Sequence, residues 1–335
     1  MEKQLKKVLF ITNIPAPYRV DFYNELGKVC DLTVIYEARR ASGITFNWKE
    51  DAIKYFRAIF LKDGEIEEKR VDWGIFHYIK QLEYDAIFVT NYAYFTEMVA
   101  LFGIKLRGIP YYYELDGAMV HYHESSLVKA LKSFFLKGAK AYISPSIVSD
   151  EYVKYYAGTH AKVIRYPFSS LCERDILPEL VSEDKKVILR KRLGVKESKM
   201  ILAVGQFIHR KGFDVLMEAV RDMDKQIGIY IVGGEPTDEY LYIQKELGLT
   251  QVHFEGFKTK DKLAEYFMAA DLFVLPTRED IWGLVINEAM AYGLPVVTTN
   301  KCVAGMELLQ DKECLIDVDD AEQLSDICLL YTSDA

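Results

Sequence analysis

The chain has 335 residues, of which 42 are basic, 50 are acidic and 50% are hydrophobic, and its net charge is −8. This composition excludes a disordered or disulfide-rich chain, and at roughly 150 residues per domain the length suggests about two domains. A mildly acidic chain lacks the basic surface of a general nucleic-acid binder, so we expect no nucleic-acid partner. Its five scattered cysteines lack Cys-x-x-Cys spacing, which favours a reducing cytoplasm and no zinc site.

The first half of the chain alternates short apolar runs with amphipathic stretches. The runs predict strands at 8–13, 32–36, 55–61, 86–90, 110–114, 141–144 and 162–166. The stretches between them predict helices at 19–29, 72–82, 96–106, 127–136 and 148–156. Such alternation is typical of a parallel sheet with helices on both faces.

A charged, irregular segment at 171–186 interrupts this rhythm and predicts a linker. After a short helix at 190–193, further strands are predicted at 200–204, 228–232, 252–254, 272–275, 295–298 and 314–316. The helices between them are predicted at 213–221, 237–247, 260–269 and 284–292. The sequence therefore predicts an α/β fold of two Rossmann-like, doubly wound domains, 1–170 and 187–335, with a ligand cleft between them.

A basic pair stands between a strand and a helix near the start of the second predicted domain. The strand ends at Gly205, Arg210 and Lys211 follow, and the next helix opens at Phe213. Backbone N–H groups and the helix dipole at such a turn attract anions, so the pair predicts a diphosphate site. The alternative is a solvated basic pair on a surface loop.

Two acids surround the start of a later helix. Asp280 lies in an acidic loop before Gly283, and Glu288 lies five residues further along, about 7.5 Å at the rise of a helix. Carboxylates at this spacing can hold hydroxyls at two ends of one elongated ligand. Alternatively, Asp280 or Glu279 complements the helix dipole, and Glu288 is an ordinary half-buried acid.

From about residue 185 to 307 the chain resembles the nucleotide-sugar domain of glycosyltransferase family 4, which are retaining enzymes of the GT-B architecture. The family motif has two glutamates with seven residues between them, before Ala-Met-Ala-x-Gly-x-Pro-Val-Val. This chain reads Asp280-(IWGLVIN)-Glu288-AMAYGLPVV, with Asp in place of the first Glu. The resemblance implies that Glu288 binds the ribose hydroxyls and that Asp280 holds the donor sugar. The backbone that assists Asp280 would be that of Trp282, Gly283 and Leu284.

The same family pairs an Arg after the strand's glycine with a Lys five residues on. Here Gly205 keeps the glycine, Gln206 occupies the Arg position and Lys211 matches the Lys. We expect Arg210 to supply the missing guanidinium. Phe257 falls where a loop of the family meets the nucleotide base.

The resemblance also reaches the first half, where it implies an acceptor-side domain. Asp116, with Glu114 as the second candidate, follows a strand in YYYELDG and would face the donor sugar. Arg19 follows the first strand and would contact the acceptor or a phosphate.

The stretch 127–140 places four lysines, 129, 132, 137 and 140, on one face of a helix, with Leu136 among them. The other apolar residues fall on the opposite face. Such a helix would contact an anionic membrane through its lysines and Leu136, or it would simply cover the sheet.

Together these features predict a metal-independent, retaining glycosyltransferase of surface-polysaccharide biosynthesis. It would move a sugar from a nucleotide-diphosphate-sugar donor, which is a substrate, to a glycan or lipid-linked hydroxyl, and no cofactor is expected. The predicted catalytic residues are Arg210, Lys211, Asp280 and Asp116. The alternatives are a nucleotide-sugar epimerase of the same architecture and a non-catalytic nucleotide-sugar-binding protein.

We expect a cytoplasmic protein, with peripheral contact at the inner face of the cell membrane as the open question. Members of the family continue for some tens of residues beyond a helix such as the one predicted to begin at Asp320. The resemblance therefore also implies a chain that is truncated at its C-terminus.

Overall fold

The computed structural model describes residues 5–40, 52–67, 69–79, 83–90 and 92–332. The chain divides into two compact units, Met1–Ser170 and Leu171–Ala335. In each unit parallel strands alternate with helices, which confirms the predicted α/β class. No helix within these described ranges is both long and apolar enough to cross a membrane.

The first unit is built on a seven-stranded sheet of order β3-β2-β1-β4-β5-β6-β7. Its strands are β1 (Lys7–Thr12), β2 (Asp31–Arg40), β3 (Arg57–Glu65), β4 (Ala86–Val89), β5 (Tyr112–Glu114), β6 (Tyr142–Ser144) and β7 (Val163–Arg165). Its helices are α1 (Pro17–Gly27), α2 (Ile75–Tyr78), α3 (Phe95–Leu106), α4 (Ser126–Leu136) and α5 (Ile147–Ala157). The strand pairings are parallel.

The second unit is built on a six-stranded parallel sheet of order β10-β9-β8-β11-β12-β13. Its strands are β8 (Lys199–Val204), β9 (Ile227–Val232), β10 (Val252–Glu255), β11 (Leu272–Leu275), β12 (Val296–Thr299) and β13 (Leu315–Ile316). Its helices are α6 (Glu183–Leu193), α7 (Phe213–Ala219), α8 (Asp238–Glu246), α9 (Lys260–Ala269), α10 (Leu284–Ala291), α11 (Val303–Leu308) and α12 (Ala321–Thr332).

Continuous apolar runs form the central strands because a parallel sheet is covered on both faces. All six residues of β9 and all four of β11 are buried. In β2 every residue from Leu32 to Ala38 is buried. These apolar runs indicate the strands clearly in the sequence, and each predicted strand is found close to its expected place.

The segment 171–186 differs from the predicted linker. Helix α6 already begins at Glu183, where the Ser182 hydroxyl accepts a hydrogen bond from the Lys185 N–H at 3.4 Å. Before the helix, the Leu177 N–H donates to the Ala291 carbonyl at 3.0 Å, so this stretch packs as part of the second unit. The charged run at 183–186 has no apolar periodicity, so the sequence pattern predicts the helix only at 190–193.

Two other helices were predicted incompletely. Helix α11 was missed, since its six residues give too short a pattern to be recognised. The helix predicted at 72–82 is found only at Ile75–Tyr78, and residues 80–82 lie outside the described ranges.

The strand orders show where each unit can bind a ligand. In the first sheet the direction of strand addition reverses between β1 and β4, and in the second it reverses between β8 and β11. At each reversal the connections after the two neighbouring strands leave toward opposite faces of the sheet. This opens a crevice at the carboxyl ends of those two strands. The loops after these strands are therefore the first place to look for functional residues.

Glu37 on β2 gives the first unit a pH-dependent stability. Its side chain is 6% exposed, and burial raises its pKa from 4.5 to about 7. The folded protein therefore favours the protonated carboxyl group of Glu37. The stabilisation that this preference gives is lost as the pH rises from 4.5 through about 7. We expect Glu37→Gln to raise the free energy of unfolding at pH 8 by on the order of 1–2 kcal/mol.

Urea unfolding at pH 5 and pH 8 tests this expectation. The gain in Glu37→Gln should be larger at pH 8 than at pH 5. Glu65→Gln, at an exposed position of the neighbouring strand β3, is the matched control and should change neither value. An equal effect of Glu37→Gln at both pH values would contradict the assigned protonation.

Candidate active site

The loop after β8 lies against the loop after β11, at the point where the second sheet reverses its strand order. The Arg210 carbonyl accepts hydrogen bonds from the Arg278 N–H at 2.8 Å and from the Thr277 hydroxyl at 2.9 Å. Gly212 has a φ of +68°, and a Cβ there would stand 2.0 Å from the Pro276 carbonyl oxygen. A glycine is therefore required for the two loops to approach this closely.

Lys211 and Asp280 form an ion pair across these two loops. Lys211 Nζ lies 2.7 Å from Asp280 Oδ2, and the two side chains are only 13% and 12% exposed. Arg210 is more open, with its side chain 45% exposed and Nη1 at 3.8 Å from Asp280 Oδ2. The Arg210 guanidinium also donates to the Glu279 carbonyl at 2.6 Å. Three of the four predicted catalytic residues are thus brought together.

The chain after Asp280 turns directly into α10. The Asp280 N–H donates to the Lys301 carbonyl at 2.9 Å, and the Asp280 carbonyl accepts from the Val303 N–H at 3.1 Å. Gly283 begins the helix with a φ of +94°. The first N–H groups of a helix have no intrahelical acceptor, so this end of α10 offers donors and a positive dipole end to an anion.

The remaining residues of the predicted motif lie on or beside α10. The Trp282 side chain is buried and its Nε1–H donates to Asn287 Oδ1 at 2.8 Å, so only its backbone can assist a ligand. Leu284 is the first residue of the helix. Glu288 is half-buried on the same helix, about 7.5 Å along the axis from Gly283.

Three other residues that the resemblance singled out lie in loops of the second unit. Gly205 leaves room for the aliphatic part of Lys211, because a Cβ at Gly205 would stand 3.4 Å from Lys211 Cδ. Gln206, in the place of the family's Arg, is exposed. Phe257 lies in the loop after β10 with 62% of its side chain exposed.

The first unit has a separate cluster of charged residues at the carboxyl ends of its strands. Arg19 is 4% exposed, and its Nη1 donates to Glu114 Oε2 at 2.7 Å. Its Nη2 donates to Asp116, which also accepts from the Tyr18 hydroxyl at 2.9 Å. Burial raises the pKa of Glu114, although Arg19 opposes that shift. One guanidinium thus lies between two carboxyl groups, an arrangement that does not favour the phosphate contact expected of Arg19.

An open pocket lies beside this cluster. Arg19 and Glu114 line it together with four aromatic side chains, those of Tyr18, Phe22, Tyr166 and Phe168. The Tyr166 hydroxyl donates to the Leu115 carbonyl at 3.0 Å. The pocket therefore combines apolar ring faces with the buried polar side chains of Arg19 and Glu114.

Residues 198–334 match the family described as "Glycosyl transferases group 1". This segment, which is less than half of the chain, is similar to that family. The matched range contains Lys211, Asp280 and Glu288, so it includes the candidate site described above. The finer assignment to family 4 stays a prediction.

Two curated relatives match part of this chain. Mannosylfructose-phosphate synthase from Agrobacterium fabrum is 36% identical over 133 residues, 36% of this chain and 29% of that protein. Lipopolysaccharide glucosyltransferase WaaG from Escherichia coli is 31% identical over 142 residues, 38% of this chain and 37% of WaaG. The matched segments thus span 29% and 37% of these relatives' own lengths.

A solved structure extends the likeness to nearly all of the chain. HepE from Anabaena, in complex with UDP and glucose, matches with a TM-score of 0.70 and 18% identity over 98% of this chain and 90% of that chain. At this identity the likeness shows the fold alone. The fold is that of the GT-B glycosyltransferases, as predicted.

Sequence reasoning missed the residues that hold the two loops of the candidate site together. Arg278 donates to both carboxylate oxygens of Asp214, at 2.9 and 2.6 Å, and to Asp319 Oδ1 at 2.7 Å. The Thr277 hydroxyl also lies 3.0 Å from the Glu279 carbonyl. One signal could have indicated Thr277 and Arg278. Both residues lie in the loop after β11, at the strand end where functional loops of such a sheet begin.

The electrostatics of the site fit a binding role better than nucleophilic catalysis by a side chain. Burial alone would raise the pKa of Asp214, but Arg278 holds it below its usual value. Burial raises the pKa of the Cys302 thiol, which lies beside Gly283, to about 11. That thiol is therefore neutral at physiological pH and is no nucleophile. The arrangement can pair a bound anion with Arg210 and Lys211.

Proposed function

We propose that this chain is a retaining glycosyltransferase of surface-polysaccharide biosynthesis. It would move a sugar from a nucleotide-diphosphate donor to a hydroxyl of a glycan or a lipid-linked acceptor. The observation that carries the proposal is the Lys211–Asp280 pair in the crevice between β8 and β11, within a group 1 glycosyltransferase segment. A UDP-sugar donor is supported by the UDP and glucose in HepE and by the glucosyltransferase name of WaaG.

In this proposal the donor lies along the start of α10. The diphosphate is placed against Arg210 and Lys211, near the backbone N–H groups of Gly283 and Leu284 at the start of the helix. Glu288 accepts hydrogen bonds from the ribose hydroxyls, one turn and a half further along the helix. Asp280 holds Lys211 in place and accepts hydrogen bonds from the donor sugar.

The chemical step breaks the bond between the anomeric carbon and the β-phosphate oxygen. The bonding electrons leave with the nucleotide diphosphate, and the acceptor oxygen attacks the anomeric carbon from the same face. The acceptor's proton passes to the departing phosphate oxygen, so no side chain forms a covalent intermediate. Arg210 and Lys211 stabilise the negative charge that develops on that oxygen, and we propose that they do so in place of a metal ion.

The first unit is the acceptor side in this proposal, and residues 187–335 bind the donor. The aromatic pocket formed by Tyr18, Phe22, Tyr166 and Phe168 suits the apolar face of a sugar ring. Asp116, which is 32% exposed, would accept hydrogen bonds from sugar hydroxyls. A cytoplasmic protein in contact with the inner face of the membrane would reach a lipid-linked acceptor there.

Replacing Glu288 by Gln tests the placement of the nucleotide. The change keeps the size of the side chain and removes the charge that strengthens hydrogen bonds to the ribose. We expect the dissociation constant for UDP-glucose, measured by calorimetry, to rise about 10- to 100-fold. Glu246→Gln, at an exposed position of α8, is the control and should bind like the unchanged protein. Equal affinities of the Glu288 and Glu246 variants would refute the ribose contact.

Chromatography of the nucleotide products tests the proposed reaction class. We expect slow release of UDP from UDP-glucose with water as the acceptor, and faster release when a suitable glycan is added. An epimerase would instead convert the sugar while it remains attached to UDP. A binding protein would give heat in the calorimeter but no product at all.

A further inference from the structure

The aromatic pocket of the first unit contains a positive charge that is already paired within the protein. Among the described residues that line the pocket, Arg19 is the one cation and Glu114 is the one acid. The Arg19 side chain is 5% exposed, and its Nη1 donates to Glu114 Oε2 at 2.7 Å. Its Nη2 donates to Asp116, which is 32% exposed. Both terminal nitrogens of the guanidinium therefore have carboxyl partners.

The net charge of this cluster is zero or negative, whichever protonation state Glu114 takes. Arg19 stays protonated in a folded protein. If Glu114 is protonated, the charges of Arg19 and Asp116 cancel, and if Glu114 is ionised, the cluster carries one negative charge. Burial raises the pKa of the Tyr18 and Tyr166 hydroxyls, so both phenols are neutral. The cluster thus offers no unpaired positive charge to a ligand.

The aromatic side chains of the pocket fit a neutral sugar ring. The rings of Tyr18 and Phe168 meet edge to face with their centroids 5.7 Å apart, and Phe22, which lines the same pocket, is 40% exposed. Ring faces of this kind pack against the C–H groups of a sugar. A carboxylate or phosphate on that sugar would lose water here and gain no counter-ion, which is costly. The pocket therefore distinguishes ligands by charge.

We propose that this pocket selects acceptors whose terminal sugar carries no negative charge, and that Asp116 determines this selectivity by excluding uronic acids and phosphorylated sugars. Of the two acids, Asp116 has the more open side chain, 32% exposed against 4% for Glu114, so a ligand meets its charge first. The inference rests on the proposed function and states the charge class of its acceptor. Its test measures binding without turnover.

Proton NMR titrations of the full chain with two methyl glycosides test this selectivity. Methyl α-glucoside and methyl α-glucuronide share one ring and differ at C6, where the glucuronide carries a carboxylate. We expect the dissociation constant of the glucuronide to be at least about tenfold higher, because bringing like charges together at a binding site costs that much or more. The matching pair of galactosides repeats the comparison with a second ring configuration. Equal affinities within both pairs, or tighter binding of the uronides, would overturn the proposal.

Replacing Asp116 by Asn tests whether this residue sets the selectivity. The change keeps the size of the side chain and leaves Arg19 with one carboxyl partner. The ratio of the two dissociation constants should fall from at least about tenfold to about threefold or less. Asp31→Asn removes the same charge at an exposed position at the start of β2, and it should leave the ratio unchanged. Equal ratios in the two variants, with circular dichroism showing both to be folded, would refute the role of Asp116.

Replacing Phe22 by Ala shows whether the glycosides bind in this pocket. The affinity for methyl α-glucoside should fall about 3- to 10-fold, because an exposed ring face is lost. An unchanged affinity, or no binding of either glucoside or galactoside by the unchanged protein, would overturn the proposal. Release of UDP from UDP-glucose, measured on the same preparation, reports the transferase separately. Intact release without selective glycoside binding would refute this inference and leave the proposed function standing.

Discussion

Replacing Lys211 by Ala is expected to lower the turnover number about 100-fold or more, because a positive charge next to the leaving diphosphate is lost. Lys211 is held for this role by its 2.7 Å contact with Asp280 and by the low exposure of both side chains. A buried charge that is held in place needs little reorganisation when the phosphate charge develops. The turnover number should therefore fall more than the affinity for the donor.

Steady-state release of UDP from UDP-glucose gives both quantities. Lys225→Ala, at an exposed position in the turn before β9, removes the same charge outside the site and should leave turnover unchanged. A double-mutant cycle with Asp280→Ala should show strong non-additivity, since the two side chains share one contact. Turnover of Lys211→Ala close to that of Lys225→Ala would contradict the role of Lys211 beside the leaving diphosphate.

Replacing Asp271 by Ala is expected to cost about 3–5 kcal/mol of stability, because it leaves the buried charge of Arg190 without its partner. Asp271 Oδ2 accepts from Arg190 Nη2 at 2.5 Å and from the Met200 N–H at 2.8 Å, and Oδ1 accepts from Lys186 Nζ at 3.1 Å. Arg190 is 5% exposed and Asp271 is 9% exposed. This one carboxylate therefore ties α6 to the start of β8.

Urea unfolding followed by circular dichroism measures the loss. Asp222→Ala, which removes the 86% exposed partner of Arg221, is the control and should unfold at the same urea concentration as the unchanged protein. If the Asp271 variant also unfolded there, the buried pair would contribute nothing to the fold. Its loss should also lower activity at temperatures where the second unit is no longer fully folded.

The strands of both units were predictable from the sequence because burial on both faces leaves a continuous apolar run. The runs at Leu272–Leu275 and Ile227–Val232 are examples, and both are entirely buried. The candidate site was predictable for a related reason. Residues that follow such strands meet at one edge of the sheet, and Lys211 and Asp280, which the sequence assigned separately to the donor site, both follow such strands.

The contacts that join the two loops were not predictable from local patterns. Arg278 and Asp214 are 64 positions apart in the chain, and no periodicity connects them. Helix α4 shows a second limit of such patterns. The lysine spacing placed Leu136 among exposed lysines, but Leu136 is fully buried and its carbonyl accepts a hydrogen bond from the Tyr142 hydroxyl at 2.6 Å.

Proton NMR of UDP-glucose in the presence of the protein tests the proposed retaining transfer most directly. Attack on the same face that the diphosphate leaves keeps the configuration of the anomeric carbon. The glucose that first appears, before its anomers equilibrate, should therefore be the α anomer, and it should appear at least about 100-fold more slowly with Lys211→Ala. First appearance of the β anomer, or no release of glucose although UDP-glucose binds, would contradict a retaining transferase at this site.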